Sequence, residues 1–239
     1  MHLSINVLST LLASCAAQCA ASASSSSSNP LSFGQNYAVL NLDLITGVVA
    51  PLANTTEGRT WINNTATWLD AVHAQSPPPL SIYTRIYYSS PQAPELSPQV
   101  PFYQVAEAFG NLTESSPASQ IYPLFAPGSE GRDSSRDVVL RKSRYYAGDG
   151  NSLEEILRTR AVDTVILSGL SIVGVVLSTV YRLFDLDYNV YVISDNTLQP
   201  GAPKVKEAVL GEILPKLPVS VISLEEALEG LENSGPARW

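Results

Sequence analysis

Cysteine is almost absent from this 239-residue chain, whose two thiols are Cys15 and Cys19, both near the N-terminus. The sequence after Cys19 therefore offers no disulfide framework, no thiolate metal site and no thiol nucleophile. Histidine is equally scarce, with His2 and His73 only. A lone histidine on an amphipathic helix, as His73 is, is expected to be structural or exposed. Stability must therefore come from a hydrophobic core.

Basic residues are also few, since 14 Lys and Arg face 22 Asp and Glu, which leaves a net charge of −8. No basic patch is available to neutralise phosphates, so nucleic acid is not an expected partner. Hydrophobic residues make up 45% and charged residues 15%, which is typical of a globular protein. The length suits one sizeable domain.

The N-terminal apolar run is too short and too often interrupted by serine to span a membrane, so no stable membrane insertion is expected. Residues 1–23 are predicted to be a secretory signal peptide with cleavage near Ala21-Ser22-Ala23, and residues 24–36 a Ser-rich linker. "LASC", ending at Cys15, leaves a lipoprotein anchor as the alternative. Sequons at Asn54, Asn63 and Asn111 favour a secreted, extracellular glycoprotein.

Apolar strand patterns alternate with helix patterns from residue 37 onward. The predicted strands are Tyr37–Asp43, Leu80–Tyr88, Asp137–Lys142, Asp163–Gly169, Tyr188–Ser194 and Pro218–Ser223. Unbroken apolar strands indicate a parallel sheet covered on both faces. The predicted fold is therefore α/β: a three-layer α/β/α domain over 37–231 with a mostly parallel sheet of about six strands, and a tail at 232–239. The long proline-rich segment Ser89–Asp137 is expected to be a lid or insertion.

Polar residues and a glycine-rich turn stand at the predicted carboxyl ends of three strands, where ligands bind in open parallel sheets. These are Asp43, Lys142 and Gly169, the last leading into "ILSGLSIVGVVLSTV" at Ile166–Val180. From spacing alone, Asp43 could equally be a helix cap, Lys142 a solvated lysine, and the glycines a means of tight backbone geometry.

Three segments in this order resemble the isochorismatase-like hydrolase superfamily over most of 37–222. They are "AVLNLDLITGVV", "VVLRKSRYYAGDGNSLEEILRTRAVDTVILSGL" and "GLSIVGVVLSTVYRLFDLDYNVYVISD". The resemblance assigns the family aspartate to Asp43 and the family lysine to Lys142. Val175 stands where most members have a nucleophilic cysteine, and Ile172 where a threonine is common.

The resemblance implies a division of labour among six residues. Asp43 would be the general acid, and Lys142 would bind a substrate carboxylate or hydroxyl and tune that acid. Backbone amides around Gly174 and Val175 would hold a substrate oxygen, and a non-proline cis peptide bond would join Leu170 to Ser171. Burial would raise the pKa of Asp43 and the charge of Lys142 would lower it; the sequence leaves the balance between these two effects open.

A valine cannot attack a substrate, so thiol-dependent amide hydrolysis is excluded at this site. True isochorismatases likewise resemble this chain in having a "VGV"-like elbow without cysteine. The expected activity is therefore hydrolysis of isochorismate or a similar small acid by general-acid chemistry, with no cofactor and no metal. The alternatives are a cysteine-independent hydrolase of another small substrate, and a degenerate member that only binds a ligand or partner. Relatives are often oligomeric, so a homo-oligomer is also expected.

Overall fold

A parallel sheet with the strand order β3-β2-β1-β4-β5-β6 forms the centre of the described chain. The computed structural model describes residues 30–110 and 112–238. The strands are β1 (Tyr37–Leu42), β2 (Leu80–Ile86), β3 (Asp137–Lys142), β4 (Thr164–Leu170), β5 (Asn189–Leu198) and β6 (Ser220–Ile222). Every neighbouring pair is parallel, which confirms the predicted fold class. The strand order reverses between β1 and β4, which is where such sheets bind ligands.

Seven α-helices flank this sheet within the described residues. They are α1 (Thr46–Val49), α2 (Thr56–Ala74), α3 (Tyr103–Phe109), α4 (Leu153–Thr159), α5 (Leu177–Asp185), α6 (Pro203–Ala208) and α7 (Leu224–Ser234). Short 3₁₀ and π segments extend several of them. None of the described helices combines the length and the apolar character needed to cross a lipid bilayer.

Each face of the sheet is covered by its own helices, which gives the three predicted layers. Side chains such as Leu40 and Leu42 pack with α4 and α5 on one face. Val39 and Ile166 pack with α2 and α7 on the other. Successive side chains along each strand point to opposite faces. Both faces are buried, so the strands read as continuous apolar runs in the sequence.

Helix α2 follows from its sequence pattern. Trp61 and Trp68 recur seven residues apart and are 2% and 1% exposed, so the predicted apolar face is the buried one. Thr55 caps the helix, its side chain accepting a hydrogen bond from the Gly58 amide at 2.9 Å.

Two helix ends differ from the sequence prediction. The spacing of Ser152 and Glu155 in the sequence predicts a capping box, yet the Ser152 side chain makes no cap hydrogen bond, and the Leu153 amide donates to Asn151 Oδ1 at 2.9 Å instead. The capping box that does form lies at Ser223, before α7. Asn151 thus satisfies the Leu153 amide through a local side-chain-to-backbone hydrogen bond of the kind that competes with a cap.

The packed unit is wider than the expected 37–231 range. Phe33 is buried before β1, α7 runs on to Ser234, and Ala237 is 5% exposed. The Arg238 amide donates to the Gln35 carbonyl at 2.8 Å, which ties the two ends of the unit together. The predicted signal peptide and most of the predicted linker lie outside the described residues, as does Asn111.

The long segment between β2 and β3 packs on the carboxyl end of β1. The Thr46 amide donates to the Gln120 carbonyl at 2.7 Å, and the Tyr122 amide donates to the Leu44 carbonyl at 2.8 Å. This segment also contains α3. It therefore braces the chain just after Asp43, in agreement with the expectation of an insertion near the site.

His73 is buried rather than exposed, and it joins α2 to the start of β3. Its Nδ1 donates to the Leu69 carbonyl at 2.7 Å, and its Nε2 lies 3.0 Å from Asp137 Oδ1. Burial alone would lower the pKa of His73, but the hydrogen bonds to Asp137 and Leu69 and the charge of Asp137 outweigh it, even against nearby Arg132, and raise the pKa.

Asp137→Asn is therefore expected to destabilise the fold most at low pH. A raised folded pKa of His73 contributes stability that is fully present below its unfolded value, about 6.5, and is lost as pH rises through the folded value. Removing the charge of Asp137 should cost about 1–3 kcal/mol below that range, the typical cost of an unsatisfied buried group. Urea unfolding from pH 5 to 9 and NMR titration of His73 measure this; equal pH dependence in both proteins would contradict it.

Candidate active site

Asp43 lies immediately after β1, at the point where the strand order reverses. Its backbone takes the left-handed conformation, with φ at 56°, which Asp adopts more readily than most residues. The Asp43 amide donates to Thr84 Oγ1 at 3.0 Å, and that hydroxyl donates to Asp43 Oδ1 at 2.7 Å. Thr84 on β2 thus fixes both the turn and the carboxyl group. Asp43 is 8% exposed.

Lys142 ends β3 and reaches across β2 to the same carboxyl group. Its Nζ lies 2.7 Å from Asp43 Oδ2, and also donates to the carbonyls of Arg144 at 2.9 Å and Tyr145 at 3.3 Å. Lys142 is 1% exposed. The structure thus brings together the two predicted catalytic residues.

The lysine geometry departs from one expectation. An ammonium group has three N–H donors, and here all three are directed at Asp43, Arg144 and Tyr145. No donor is left for a substrate carboxylate in this arrangement. Lys142 therefore acts on Asp43, which is the tuning part of the role that the resemblance implies.

Burial has the largest influence on the pKa of Asp43. Desolvation of the carboxyl group is the largest effect and raises the pKa. The charge of Lys142 and the hydrogen bonds from Lys142 and Thr84 lower it by less, so the net pKa of Asp43 is raised above its ordinary value. A carboxyl group of this kind is suited to carry a proton nearer neutral pH than a solvated one.

The turn after β4 faces this pair. The Leu170–Ser171 peptide bond is cis, as the resemblance implies. Gly169, with φ at 146°, packs against β1 so closely that a Cβ atom there would lie 2.1 Å from the Leu42 carbonyl oxygen. Only glycine therefore allows β4 to carry this turn so close to Asp43.

Val175, Leu170 and Ser171 line a cavity together with Asp43 and Lys142, so five of the six predicted site residues share it. Gly174 does not line it. A Cβ atom at Gly174 would lie 2.6 Å from the Tyr145 ring, and its amide donates back to the Ser171 carbonyl at 3.3 Å. The glycine makes room for the Tyr145 ring, and the oxygen-binding role expected of the backbone amides around Gly174 and Val175 stays a prediction.

The cavity has a volume of about 400 Å³. Its walls come from the strand ends, the turn after β4 and helix α3. It is lined by Asp43, Ile45, Val48, Ile86, Val105, Ala108, Phe109, Lys142, Tyr145, Leu170, Ser171, Val173, Val175, Gln199 and Pro200. Most of these side chains are apolar, as in many small-molecule sites.

Sequence reasoning missed three residues at this site. Gln199 follows β5, and its Oε1 accepts a hydrogen bond from the Val173 amide at 3.3 Å. The rule of strand carboxyl ends would have found Gln199 had it been applied to β5. Thr84 and Tyr145 carry no such signal, because one lies inside a strand and the other in a loop.

No group of three or more His, Cys, Asp or Glu suited to hold a metal ion occurs among residues 30–110 and 112–238.

An acid–lysine pair beside a cis-peptide turn, at the switch point of a doubly wound sheet, defines a small-molecule site on an α/β/α domain. The family model described as the Isochorismatase domain matches residues 37–225. The chain therefore belongs to the isochorismatase family, whose members are isochorismatase-like hydrolases. None of the curated proteins matches it.

Solved structures agree with this fold. An isochorismatase family protein from Burkholderia thailandensis is 23% identical, with a TM-score of 0.65, over 85% of this chain and 100% of that one. A cysteine hydrolase from Pseudomonas syringae pv. phaseolicola is 21% identical, with a TM-score of 0.70, over 87% and 99%. An N-carbamoylsarcosine amidase from Thermoplasma acidophilum is 19% identical, with a TM-score of 0.60, over 80% and 97%. Identities this low establish the fold and not the substrate.

Lys142→Met should uncouple Asp43 from its cation and raise the Asp43 pKa further. The folded pKa of Asp43 already exceeds its unfolded value, so its contribution to stability is present below about pH 4 and is lost as pH rises through the folded pKa. The variant should lose about 3–5 kcal/mol near neutral pH, as when one partner of a buried ion pair is removed, and lose less in acid.

Urea unfolding at several pH values measures this difference, with Lys216→Met as the matched control because Lys216 is exposed. A Lys142→Met protein as stable as that control at pH 7 would contradict the assigned pairing.

Proposed function

We propose that this protein hydrolyses the vinyl ether bond of a small molecule by proton donation from Asp43, without a covalent intermediate. The carrying observation is the buried Asp43 carboxyl group, held 2.7 Å from Lys142 in a cavity whose turn presents Val175. The site thus contains an acid and a lysine but, at Val175, no side chain that could act as a nucleophile.

The proposed reaction balances in three steps. Protonated Asp43 gives its proton to the terminal enol carbon, and the π electrons of the double bond form the new C–H bond. Water then adds to the resulting oxocarbenium carbon and returns a proton to the Asp43 carboxylate. The hemiketal finally collapses to a ketone and an alcohol. With isochorismate, the substrate that the resemblance implies, the products are pyruvate and a dihydrodiol.

The surroundings of Asp43 suit both halves of this cycle. Burial favours the protonated form that must donate, while Lys142 and Thr84 stabilise the carboxylate that remains after donation. The Thr84 hydroxyl and Lys142 Nζ also hold the two carboxyl oxygens in one orientation, which keeps the acid directed at one place.

Asp43→Asn keeps the shape of the side chain and removes its proton, so turnover should fall by roughly 10²–10⁴, the usual worth of a positioned general acid. The wild-type rate should fall as pH rises through the raised pKa of Asp43, because only the protonated acid donates. Release of pyruvate from isochorismate, or of ketone from other vinyl ethers, measures both effects. Asp185→Asn, at an exposed position, is the matched control and should keep full activity.

Full activity in Asp43→Asn would overturn this assignment. So would loss of wild-type activity on treatment with a thiol reagent, because no cysteine follows Cys19. A wild-type protein inert toward every vinyl ether would favour the alternative of a family member that only binds its ligand.

We also propose that the protein is secreted and glycosylated. The apolar N-terminal run with its small-residue cleavage site and the three sequons support this proposal. Asn54 and Asn63 are exposed, so a glycan on either would not disturb the core.

Protein from the native host should then begin between Ser22 and Ser28 and shift in mass on glycosidase treatment. Mass spectrometry with the Asn54→Gln and Asn63→Gln variants as controls measures this. An intact Met1, or a lipid on Cys15, would contradict it.

A further inference from the structure

We infer that the cavity beside Asp43 selects an uncharged, largely apolar substrate and discriminates against one that carries a free carboxylate. The inference rests on the proposed function, since it names the substrate class of the same site, and it puts a neutral vinyl ether in place of the acidic substrate that the resemblance implies. It rests on three features of the described residues: the pairing of the charges in the cavity, the engagement of the neighbouring arginines, and the apolar wall.

The two ionisable side chains that line the cavity, an acid and a lysine, are directed at each other. Asp43 and Lys142 are the ionisable acid and base among its lining residues, and they contact each other at 2.7 Å. The remaining N–H donors of Lys142 go to the backbone carbonyls of Arg144 and Tyr145. A ligand carboxylate entering here would meet no N–H donor of Lys142 that is not already directed at a protein oxygen.

Arginines on β2 and β3 and just after β3 do not line the cavity, and each is bound elsewhere. Arg85 donates to the Ser119 carbonyl at 2.7 Å. Arg141 pairs with the Glu95 carboxylate, and Arg144 donates to the Glu95 carbonyl at 2.9 Å. Guanidinium groups are the usual binders of carboxylates in proteins, and here they hold loops instead.

The cavity wall is apolar from Asp43 to the surface. Ile45, Ile86 and Val175 form its inner part. Phe109 and Val173 also line it and are 42% and 45% exposed, which is unusual for large apolar side chains. Burial of an apolar ligand against these groups is favourable, whereas a carboxylate desolvated there without a partner is costly.

Three uncharged polar side chains, those of Tyr145, Ser171 and Gln199, remain to orient a ligand. Ser171 and Gln199 line the same cavity, and Gln199 Oε1 already accepts from the Val173 amide. These groups can bind an ether, carbonyl or hydroxyl oxygen. The site thus offers one acid, three neutral polar groups and an apolar wall, which fits a neutral enol ether.

A matched pair of probes tests the inference. Ethyl 1-phenylvinyl ether is neutral, and its analogue with a carboxylate at the para position has the same frame. Each takes up one water and gives one ethanol with acetophenone or 4-acetylbenzoate. Binding of these two ketones to the wild-type protein, followed by calorimetry or ligand-observed NMR, reports selectivity without any catalysis, because neither ketone retains a vinyl ether bond. Acetophenone should bind at least about tenfold more tightly, because the carboxylate lacks a partner.

A cation introduced into the cavity wall should remove or reverse the preference for acetophenone over 4-acetylbenzoate. Val105 lines the cavity from α3, and Gln104, its exposed neighbour on the same helix, does not. Val105→Arg should bring 4-acetylbenzoate to equal or tighter binding than acetophenone. Gln104→Arg adds the same charge outside the cavity and should keep the preference of the parent protein.

The outcomes separate the two proposals. Preference for acetophenone together with hydrolysis of the neutral ether supports both. The same preference without hydrolysis supports the substrate class and overturns the proposed function. Equal or tighter binding of 4-acetylbenzoate by the parent protein overturns the inference, as does an equal response to Val105→Arg and Gln104→Arg.

Discussion

The ion pair between Asp43 and Lys142 is the constraint on which the rest of the site depends. Two opposite charges are buried at the edge of a sheet, where desolvation is costly unless each group keeps its partners. Three neighbouring strands meet this condition together: β1 supplies the acid, β2 the Thr84 hydroxyl and β3 the lysine. The parallel sheet is thus the means by which residues far apart in sequence are held within hydrogen-bonding distance.

The pair of Asp43 and Lys142 is also the basis of the proposal that this chain has a chemical function without a nucleophilic thiol. At this elbow Val175 contributes only an apolar surface, while Asp43 retains burial, a cation and a hydroxyl donor. These are the requirements of a general acid and not those of a covalent mechanism. The saturation of Lys142 by Asp43 and two carbonyls then removes the cation that an acidic substrate would need. The proposed chemistry and the proposed substrate class therefore both rest on one local arrangement.

Much of the fold and of the candidate site could be predicted from the sequence. Unbroken apolar runs indicate buried parallel strands, and polar residues at the carboxyl ends of such strands indicate a ligand site. Asp43 and Lys142 became candidates in this way, and the family resemblance then gave them their expected roles. The close packing of Gly174 against the Tyr145 ring could not be predicted, because the two residues are distant in sequence and meet only in the folded chain. The capping box was placed at Ser152 although Asn151 binds the first free amide there. The direction of the Asp43 pKa shift could not be predicted either, because it depends on how deeply the carboxyl group is buried, and residue spacing does not show this.

The central claim, a buried acid whose pKa stays raised despite its lysine partner, is tested most directly by NMR titration of the Asp43 carboxyl carbon. The signal can be assigned by its loss in Asp43→Asn and followed from pH 2 to 9 in the wild-type protein. The account predicts a midpoint clearly above the ordinary aspartate value of about 3.9. A midpoint at or below that value would show that Lys142 and Thr84 outweigh burial, and would contradict the role of Asp43 as the proton donor.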